Sequence, residues 1–321
     1  MSELKVAVVG CGGIGSVHMA RWANVPGARL SAVCDLNGSA AADAAGKYGA
    51  AAFEDRAAML AGGGFDIVDI CTPPNEHAAV ASAALAAGAH VLCEKPLART
   101  PEEARTIVDE AARRERLLMT AFCHRFHPPI VFARELIAAG DLGRVIMFRN
   151  RFSGHFAGIE DRWFSDPEVA GGGSLLDTAI HSVDLFRFLV GEVRGATGRV
   201  GTFLPGLRVD DSAAFVLQSE DGAIGVIESS WATPGGRNVV EIYGTAGSCI
   251  VDYDSGELTY RTADMAFAQT RVVEGVDRFQ AEVEHFAEAV RGTRPLAVTG
   301  RDGLRANEVV AEVYASARAA G

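Results

Sequence analysis

A chain of 321 residues, 49% of them hydrophobic, is long enough to bury a large core, and its length favours two domains over one. Its formal net charge of −11 argues against a nucleic-acid binder, which needs a basic face, and favours a small-molecule partner. Six singly scattered cysteines, and no apolar run near the ~20 residues of a membrane helix, lead us to expect a cytoplasmic protein that is not bound to a membrane.

The first part of the chain predicts an α/β fold with a doubly wound parallel sheet. Up to about Phe122, short apolar runs alternate with alanine-rich helical stretches, which is typical of strands joined by crossover helices. The continuous apolar character of the runs suits strands that are covered on both faces. We predict strands at Lys5–Val9, Arg29–Cys34, Asp66–Cys71, His90–Cys93 and Leu117–Phe122, and helices at roughly Ile14–Asn24, Ser39–Tyr48, Asn75–Ala87 and Pro101–Glu115.

After Phe122 the pattern indicates an α+β domain with a largely antiparallel open sheet. Longer strand-like segments are joined there by turn pairs such as Asp221-Gly222. We predict a dinucleotide-binding domain at 1–122 and a substrate-binding and oligomerisation domain at 123–321, and we allow for the terminal helix packing back on the first domain. The predicted elements are a helix near Pro128–Ala139, strands at Val145–Phe152, Ala213–Leu217, Ala223–Trp231, Asn238–Tyr243 and Ser248–Tyr253, and helices at about Asp277–Arg291 and Arg301–Ala320.

A G-x-G-x-x-G pattern ends the first predicted strand and opens the first helix, the context in which it predicts a dinucleotide site. Gly10 permits a tight turn, Gly12 lets backbone amides approach a pyrophosphate, and Gly15 lets helix and strand pack closely. Asp35 ends the second strand, 20 residues beyond Gly15, where its carboxylate can accept hydrogen bonds from the adenosine ribose. That carboxylate would repel a 2′-phosphate, so NAD is favoured over NADP. The loop alone could also serve a flavin or a nucleotide-sugar.

Two further motifs carry groups suited to chemistry. The run Cys93–Pro96 ends a buried strand, and ligands of open α/β sheets bind at such carboxyl ends. The run Gly171–Asp184 is glycine-rich and then helical, with Asp177 and His181 four residues apart on one predicted helix face and Asp184 continuing the stripe. Each motif alone is more often a solvated loop or a surface polar cluster. No further ligands are evident, so we predict no metal site.

Together with Thr72-Pro73-Pro74-Asn75-Glu76-His77, these motifs resemble the glucose-fructose oxidoreductase and inositol dehydrogenase (Gfo/Idh/MocA) family over essentially the whole chain. The resemblance implies a Rossmann domain, then an α+β domain whose open sheet often mediates oligomerisation, here as a homodimer or homotetramer. It also implies that nicotinamide and substrate meet between the domains. The implied cofactor-binding residues are Gly10, Gly12, Gly13, Ile14, Gly15, Asp35, Thr72, Pro73, Asn75, His77, Glu94 and Lys95, and the implied substrate-binding residues are Lys95, Arg125, Asp177 and His181.

The chemistry of three of these residues suits the oxidation of an alcohol. A histidine titrates near neutral pH, so His181 can take the hydroxyl proton while a hydride leaves carbon for the nicotinamide. Lys95 can donate a hydrogen bond to the reacting oxygen, and Asp177 can orient the substrate or His181. These three residues are the predicted catalytic set.

We therefore predict an NAD(H)-dependent dehydrogenase that acts on a secondary alcohol of a sugar or cyclic polyol. Two alternatives stay open: an NAD-dependent glycoside hydrolase that oxidises its sugar transiently, and a non-catalytic dinucleotide-binding sensor. Trp163 and Trp231 could line a sugar pocket or pack in the core. His18 is expected to be structural.

Overall fold

The computed structural model describes residues 3–319, which form two compact units. The first unit comprises residues 3–123 and 277–305, and the second comprises residues 124–276 and 306–319. The predicted domain at 123–321 is therefore not continuous, since a helical segment near its end belongs to the first unit. None of the helices within residues 3–319 combines the length and apolar character needed to cross a bilayer.

The first unit has the predicted parallel sheet, and all of its strand pairs are parallel. Its strand order is β3-β2-β1-β4-β5-β6, in which the direction of winding reverses between β1 and β4. The central strands are buried on both faces over most of their length, as their largely apolar runs predict. The elements in chain order are β1 Leu4–Val9, α1 Gly13–Trp22, β2 Ala28–Cys34, α2 Gly38–Tyr48, β3 Ala51–Phe53, α3 Arg56–Ala61, β4 Ile67–Ile70, α4 Pro74–Ala86, β5 His90–Cys93, α5 Pro101–Arg113 and β6 Leu118–Thr120.

The second unit is built on a mixed, mostly antiparallel sheet, as predicted. Its strand order is β14-β13-β12-β11-β7-β10-β9-β8, and the pair β7 and β10 is parallel. The elements are α6 Pro128–Ala138, β7 Val145–Ser153, α7 Pro167–Ala170, α8 Ser174–Asp177, α9 Ala179–Leu189, β8 Val193–Gly201, β9 Ser212–Ser219, β10 Ile224–Ser230, β11 Asn238–Gly244, β12 Ser248–Asp252, β13 Glu257–Arg261 and β14 Gln269–Val272. Short 3-10 turns lie at Cys123–Phe126, Ile159–Asp161 and Trp163–Ser165.

The two faces of this sheet differ in their surroundings. One face packs on α9, where the rings of Phe148 and Phe186 meet edge to face with centroids 5.6 Å apart. Along β9, buried and exposed residues alternate, so that every second side chain points away from this core. The opposite face exposes apolar side chains, among them Val216 and Ile224.

Helix α10 (Arg278–Val290) explains why residues 277–305 belong to the first unit. Asp277 caps this helix by accepting the N–H groups of Phe279 and Gln280, and α10 packs along α1. Beyond its end, the guanidinium of Arg291 donates hydrogen bonds of 2.7 Å to the carbonyls of Pro26 and Gly27. The last helix, α11 (Gly300–Ala319), begins in the first unit and ends in the second. Residue 320, where we predicted its end, lies outside the described residues.

Several elements were not predicted from the sequence. They are short or lack continuous apolar character: β3 has three largely exposed residues, and β8 contains three glycines. Pairing with neighbouring strands stabilises these strands, and the local sequence pattern alone does not predict that pairing. The unpredicted elements are β3, α3, α7, β8, β13 and β14.

Candidate active site

The dinucleotide loop connects β1 to α1 and is shaped by its glycines. Gly10 has a φ of +98° directly after β1, a conformation that favours glycine. A Cβ at Gly15 would overlap the Gly10 carbonyl, so strand and helix approach closely there. At Gly12 and Gly13, in contrast, a Cβ would meet no atom within 4 Å. The space at the N-terminus of α1 is therefore open to a phosphate, and Gly12, as N-cap, offers no side chain to the first helical N–H groups.

Asp35 follows β2. Its carboxylate bonds both the dinucleotide loop and the loop that follows β2, at the same edge of the sheet. Its Oδ2 accepts the Cys11 N–H at 2.7 Å, and its Oδ1 accepts the Asn37 N–H at 2.8 Å. Because a carboxylate has about four acceptor sites, these bonds leave capacity for ribose hydroxyls. The neighbouring Leu36 and Asn37 carry no charge that could compensate a 2′-phosphate. This environment fits the adenosine half of NAD.

The loop after β4 presents buried polar atoms. The ring of His77 bridges two carbonyls, with Nδ1 2.8 Å from the Pro96 oxygen and Nε2 2.8 Å from the Thr72 oxygen. Burial lowers the pKa of His77, whose ring is engaged within the protein. Thr72 Oγ1 and Asn75 Oδ1 are buried and lack a hydrogen-bond partner among residues 3–319. Such orphaned atoms beside the open loop fit a polar ligand, and Pro73 lies with them at the N-terminus of α4.

Lys95 follows β5 at the same edge of the parallel sheet. The N–H of Glu94 continues the pairing with β4 by donating to the Ile70 carbonyl at 2.9 Å. The Glu94 side chain turns back, so that Oε2 accepts the Lys95 N–H at 3.0 Å and Oε1 lies 3.1 Å from His18 Nε2. The Lys95–Pro96 peptide is cis. Lys95 itself is partly exposed, whereas Glu94 is buried.

Asp177 and His181 do not share one continuous helix, contrary to the sequence prediction. Asp177 ends α8 and His181 lies in the first turn of α9, with a break at Thr178. The Thr178 hydroxyl accepts the indole N–H of Trp231 at 2.8 Å and donates to Asp177 Oδ2 at 3.2 Å. The His181 N–H bonds to the Thr178 carbonyl instead of continuing an i to i−4 ladder. The spacing of a single helix therefore does not describe this pair.

Helix α8 is held by an acid far away in the chain that sequence reasoning missed. Asp210 accepts the N–H groups of Gly173 at 3.0 Å and Leu175 at 2.8 Å and the hydroxyl of Tyr314 at 2.6 Å. Burial raises the pKa of Asp210, although these bonds oppose that shift. Asp211, fully buried, accepts the backbone N–H groups of the loop at 203–204. The consecutive acids in the sequence are a signal of such capping, but they do not identify the partner.

His181 is nearly buried beside a second histidine that the sequence did not single out for catalysis. The ring centroids of His124 and His181 lie 4.4 Å apart, and His124 Nδ1 is 3.0 Å from the Tyr253 hydroxyl. The Tyr253 ring also stacks on His127 and meets Phe152 edge to face. No sequence spacing connects Tyr253 to His124, because they are 129 positions apart. These aromatic rings fix the surroundings of the His181 ring.

Arg125, a predicted substrate contact, is engaged with Asp184. Its Nε and terminal nitrogen donate to the two carboxylate oxygens at 2.9 and 2.6 Å, and both side chains are buried. The guanidinium also lies over the Phe188 ring, 5.2 Å from its centroid. This bidentate geometry fixes the 3-10 turn that carries His124 against α9. Asp184 thus pairs with Arg125 and does not extend a row of free acids.

The two tryptophans considered for a sugar pocket have different surroundings. Trp231 is buried, and its indole N–H is bonded to Thr178, so it belongs to the core under α8. Trp163 is 36% exposed and stacks on Phe164 with ring centroids 3.7 Å apart. Of the two, only Trp163 has a ring face near solvent.

Comparison with known proteins adds independent information. Residues 4–122 match the model of the oxidoreductase family with an NAD-binding Rossmann fold, and residues 130–250 match the model of the GFO/IDH/MocA C-terminal domain. The chain is 30% identical to levoglucosan dehydrogenase of Pseudarthrobacter phenanthrenivorans, covering 79% of this chain and 75% of that protein. It is also 30% identical to inositol 2-dehydrogenase of Rhizobium meliloti, covering 94% and 93%. A solved levoglucosan dehydrogenase in complex with NADH superposes with a TM-score of 0.92 at 27% identity, covering 98% and 97% of the two chains.

The open space at Gly12 generates a prediction for cofactor affinity. In Gly12→Ala the new methyl group meets no protein atom, so the melting temperature should be nearly unchanged. The methyl group would occupy the approach of the pyrophosphate, and we expect the Kd for NADH, measured by titration calorimetry, to rise about tenfold or more. Gly46→Ala in α2 is the matched control, because its Cβ also meets open space, and it should bind NADH normally. Equal NADH affinity in the two variants would refute this placement of the pyrophosphate.

Proposed function

The chain belongs to the Gfo/Idh/MocA family of oxidoreductases, and we propose from this premise that it is an NAD-dependent dehydrogenase of a secondary alcohol in a sugar or cyclic polyol. One observation carries the proposal: Lys95 follows β5 at the same edge of the parallel sheet at which the dinucleotide loop follows β1. Ligands of doubly wound sheets bind at this edge. The relatives named above are sugar and inositol dehydrogenases, and none of them supports a glycoside hydrolase or a sensor.

The cofactor residues would divide the dinucleotide between them. The loop Gly10–Gly15 and the start of α1 would bind the pyrophosphate, and Asp35 the adenosine ribose. Thr72, Pro73 and Asn75 would line the path toward the nicotinamide, with the buried ring of His77 holding their loop. NAD supplies the hydride acceptor, whereas the protein binds and orients.

Three residues would act on the substrate hydroxyl. His181 takes the hydroxyl proton on a ring nitrogen as the hydride leaves carbon, and Asp177 orients the substrate or His181. Lys95 donates a hydrogen bond to the same oxygen and stabilises its developing negative charge. Arg125 contributes by holding Asp184 and, with it, the turn that carries His124 against His181. The roles of these side chains follow from their chemistry and from the family motif.

The experiment that tests the proposed function is a spectrophotometric screen of sugars and polyols with NAD and, in parallel, with NADP. We expect net NADH formation with at least one cyclic polyol or hexose and a clear preference for NAD, because a 2′-phosphate would meet Asp35. Product release from a glycoside without net NADH would instead support the transient-oxidation alternative. Tight NADH binding without turnover of any substrate would support the sensor.

Steady-state kinetics of Lys95 and His181 variants test the catalytic set. His181→Ala should lower kcat by roughly 10²–10⁴-fold while NADH binding stays nearly intact, since it removes proton transfer and not the dinucleotide loop. Lys95→Ala should lower kcat by about 10²-fold or more. Because both would serve one transition state, the double variant should lose less than the product of the single losses. Near-normal turnover of His181→Ala would refute its role as base and direct attention to Asp177.

We further propose that the chain forms a homodimer or homotetramer through the open face of the second unit's sheet. The exposed Val216 and Ile224 on this face support that proposal, since a sheet with apolar residues on both faces needs a cover on each. Light scattering at micromolar concentration should give at least twice the mass of 33.7 kDa. A monomer would contradict the proposal.

We also propose a cytoplasmic location, because all six cysteines are free.

A further inference from the structure

A group of buried ionisable side chains lies in the first unit next to Lys95. We call it the His18 cluster; its members are His18, Asp69, Glu94 and Glu282, which come from α1, β4, the end of β5 and α10. The side chains of His18, Asp69 and Glu282 are fully buried, and Glu94 is 6% exposed. Burying several ionisable groups is unfavourable unless their charges compensate one another. Such a cluster therefore indicates that these residues have a specific role in the protein.

The imidazole of His18 contacts an acid on each side. Its Nδ1 lies 2.8 Å from Asp69 Oδ2 in a hydrogen bond, and its Nε2 makes an ion-pair contact of 3.1 Å with Glu94 Oε1. An acid facing each ring nitrogen favours the imidazolium form, in which both nitrogens carry a proton. Burial alone would lower the pKa of His18, but the charge of Asp69 raises it well above its ordinary value.

The remaining acid of the cluster is suited to staying neutral. Burial raises the pKa of Glu282 well above its ordinary value, and the charges of Glu94 and Asp69 raise it further. Its two carboxyl oxygens have no hydrogen-bond partner among the residues described. With Glu282 protonated, one imidazolium sits between two carboxylates, which keeps the negative charge of the cluster small.

The Glu94 carboxylate contacts both the His18 ring and the backbone of Lys95. One oxygen of its carboxylate faces His18, and the other accepts the Lys95 N–H at 3.0 Å. When a contact holds one oxygen of a carboxylate, the second oxygen has a fixed direction. The Glu94 carboxylate therefore fixes the peptide that precedes the Lys95 side chain. His18 also lies in α1, whose N-terminus carries the dinucleotide loop. A single ring thus connects the helix of the dinucleotide loop to the loop of Lys95.

We propose that His18 is a positioning residue, which holds the Glu94 carboxylate and through it the backbone of Lys95. The inference rests on the proposed function in that it gives Lys95 a catalytic role, but the placement of the Lys95 peptide is a property of the protein alone. It revises the sequence-based expectation that His18 has only a structural role.

Two substitutions separate the two contacts of the ring. The amide of His18→Asn matches the position of Nδ1 and reaches Asp69, but it is too short for Glu94. The amide of His18→Gln matches the position of Nε2 and reaches Glu94. We expect His18→Asn to lower kcat by roughly 10–10²-fold, because a catalytic group that is misplaced by about 1 Å costs that much, while KM and NADH binding change little. His18→Gln should restore kcat to within about threefold of the parent enzyme.

Trp22→Phe is the matched control for a merely structural effect. The Trp22 indole donates to the same Asp69 oxygen at 2.7 Å and is equally buried, but within residues 3–319 it has no hydrogen bond to Glu94. This variant should lower the melting temperature and leave kcat unchanged. A kcat that falls in Trp22→Phe as much as in His18→Asn would show that general destabilisation explains the loss, and would overturn the proposal.

A second measurement does not depend on activity. The chain has three lysines, Lys5, Lys47 and Lys95, so ¹⁵N-lysine labelling gives few amide signals in an NMR spectrum, and Lys95→Arg identifies the one from Lys95. In His18→Asn the Lys95 amide signal should move while the other two stay in place as internal references. In His18→Gln and Trp22→Phe it should remain near its original position.

The two measurements distinguish the failure of this inference from the failure of the proposed function. An unmoved Lys95 signal in folded His18→Asn overturns the positioning role, whatever the activity. A moved signal in a protein that oxidises no sugar or polyol supports the positioning role and refutes the proposed function. A moved signal with normal kcat in His18→Asn would overturn the consequence that we assign to this positioning for catalysis.

Discussion

The carboxyl ends of the parallel strands lie along one edge of the first unit's sheet, and the candidate residues of this unit depend on that constraint. The dinucleotide loop follows β1, Asp35 follows β2, Thr72 follows β4 and Lys95 follows β5. Parallel pairing gives these loops a common side without any contact between the residues themselves. The hydrogen bonds of Asp35 to the neighbouring loop, and of His77 to the Thr72 and Pro96 carbonyls, then fix the spacing between the loops.

The features that could be predicted from the sequence are those in which local pattern and chemistry agree. The Gly10 loop needs a positive φ, an open approach at Gly12 and close packing at Gly15, and only glycine meets all three requirements. Buried parallel strands have largely apolar sequences, so the strands and helices of the Rossmann part of the fold were predicted except for β3 and α3. Asp35 and Lys95 followed because each ends such a run.

Features set by tertiary contacts could not be predicted in this way. The break at Thr178 depends on the indole of Trp231, and the cap of α8 comes from Asp210, 37 positions beyond Gly173. The packing of α10 on α1 is likewise decided by partners distant in the chain. A helix period in the sequence describes how residues would align if the helix were continuous, and it contains no information about the distant side chain that bonds the Thr178 hydroxyl.

The Asp210 and Asp211 pair has a consequence for how the second unit can vary. Asp210 holds the start of α8, and Asp211 holds the backbone at Phe203, while the Thr202 hydroxyl bonds the Val209 carbonyl. The loop between these two anchors is closed at its base by bonds that do not involve its tip. Lengthening such a loop costs little, about 0.6 kcal/mol per doubling, since only closure entropy changes. Evolution can therefore exchange the exposed tip at 205–206 in sequence and length while the helix that ends at Asp177 keeps its support.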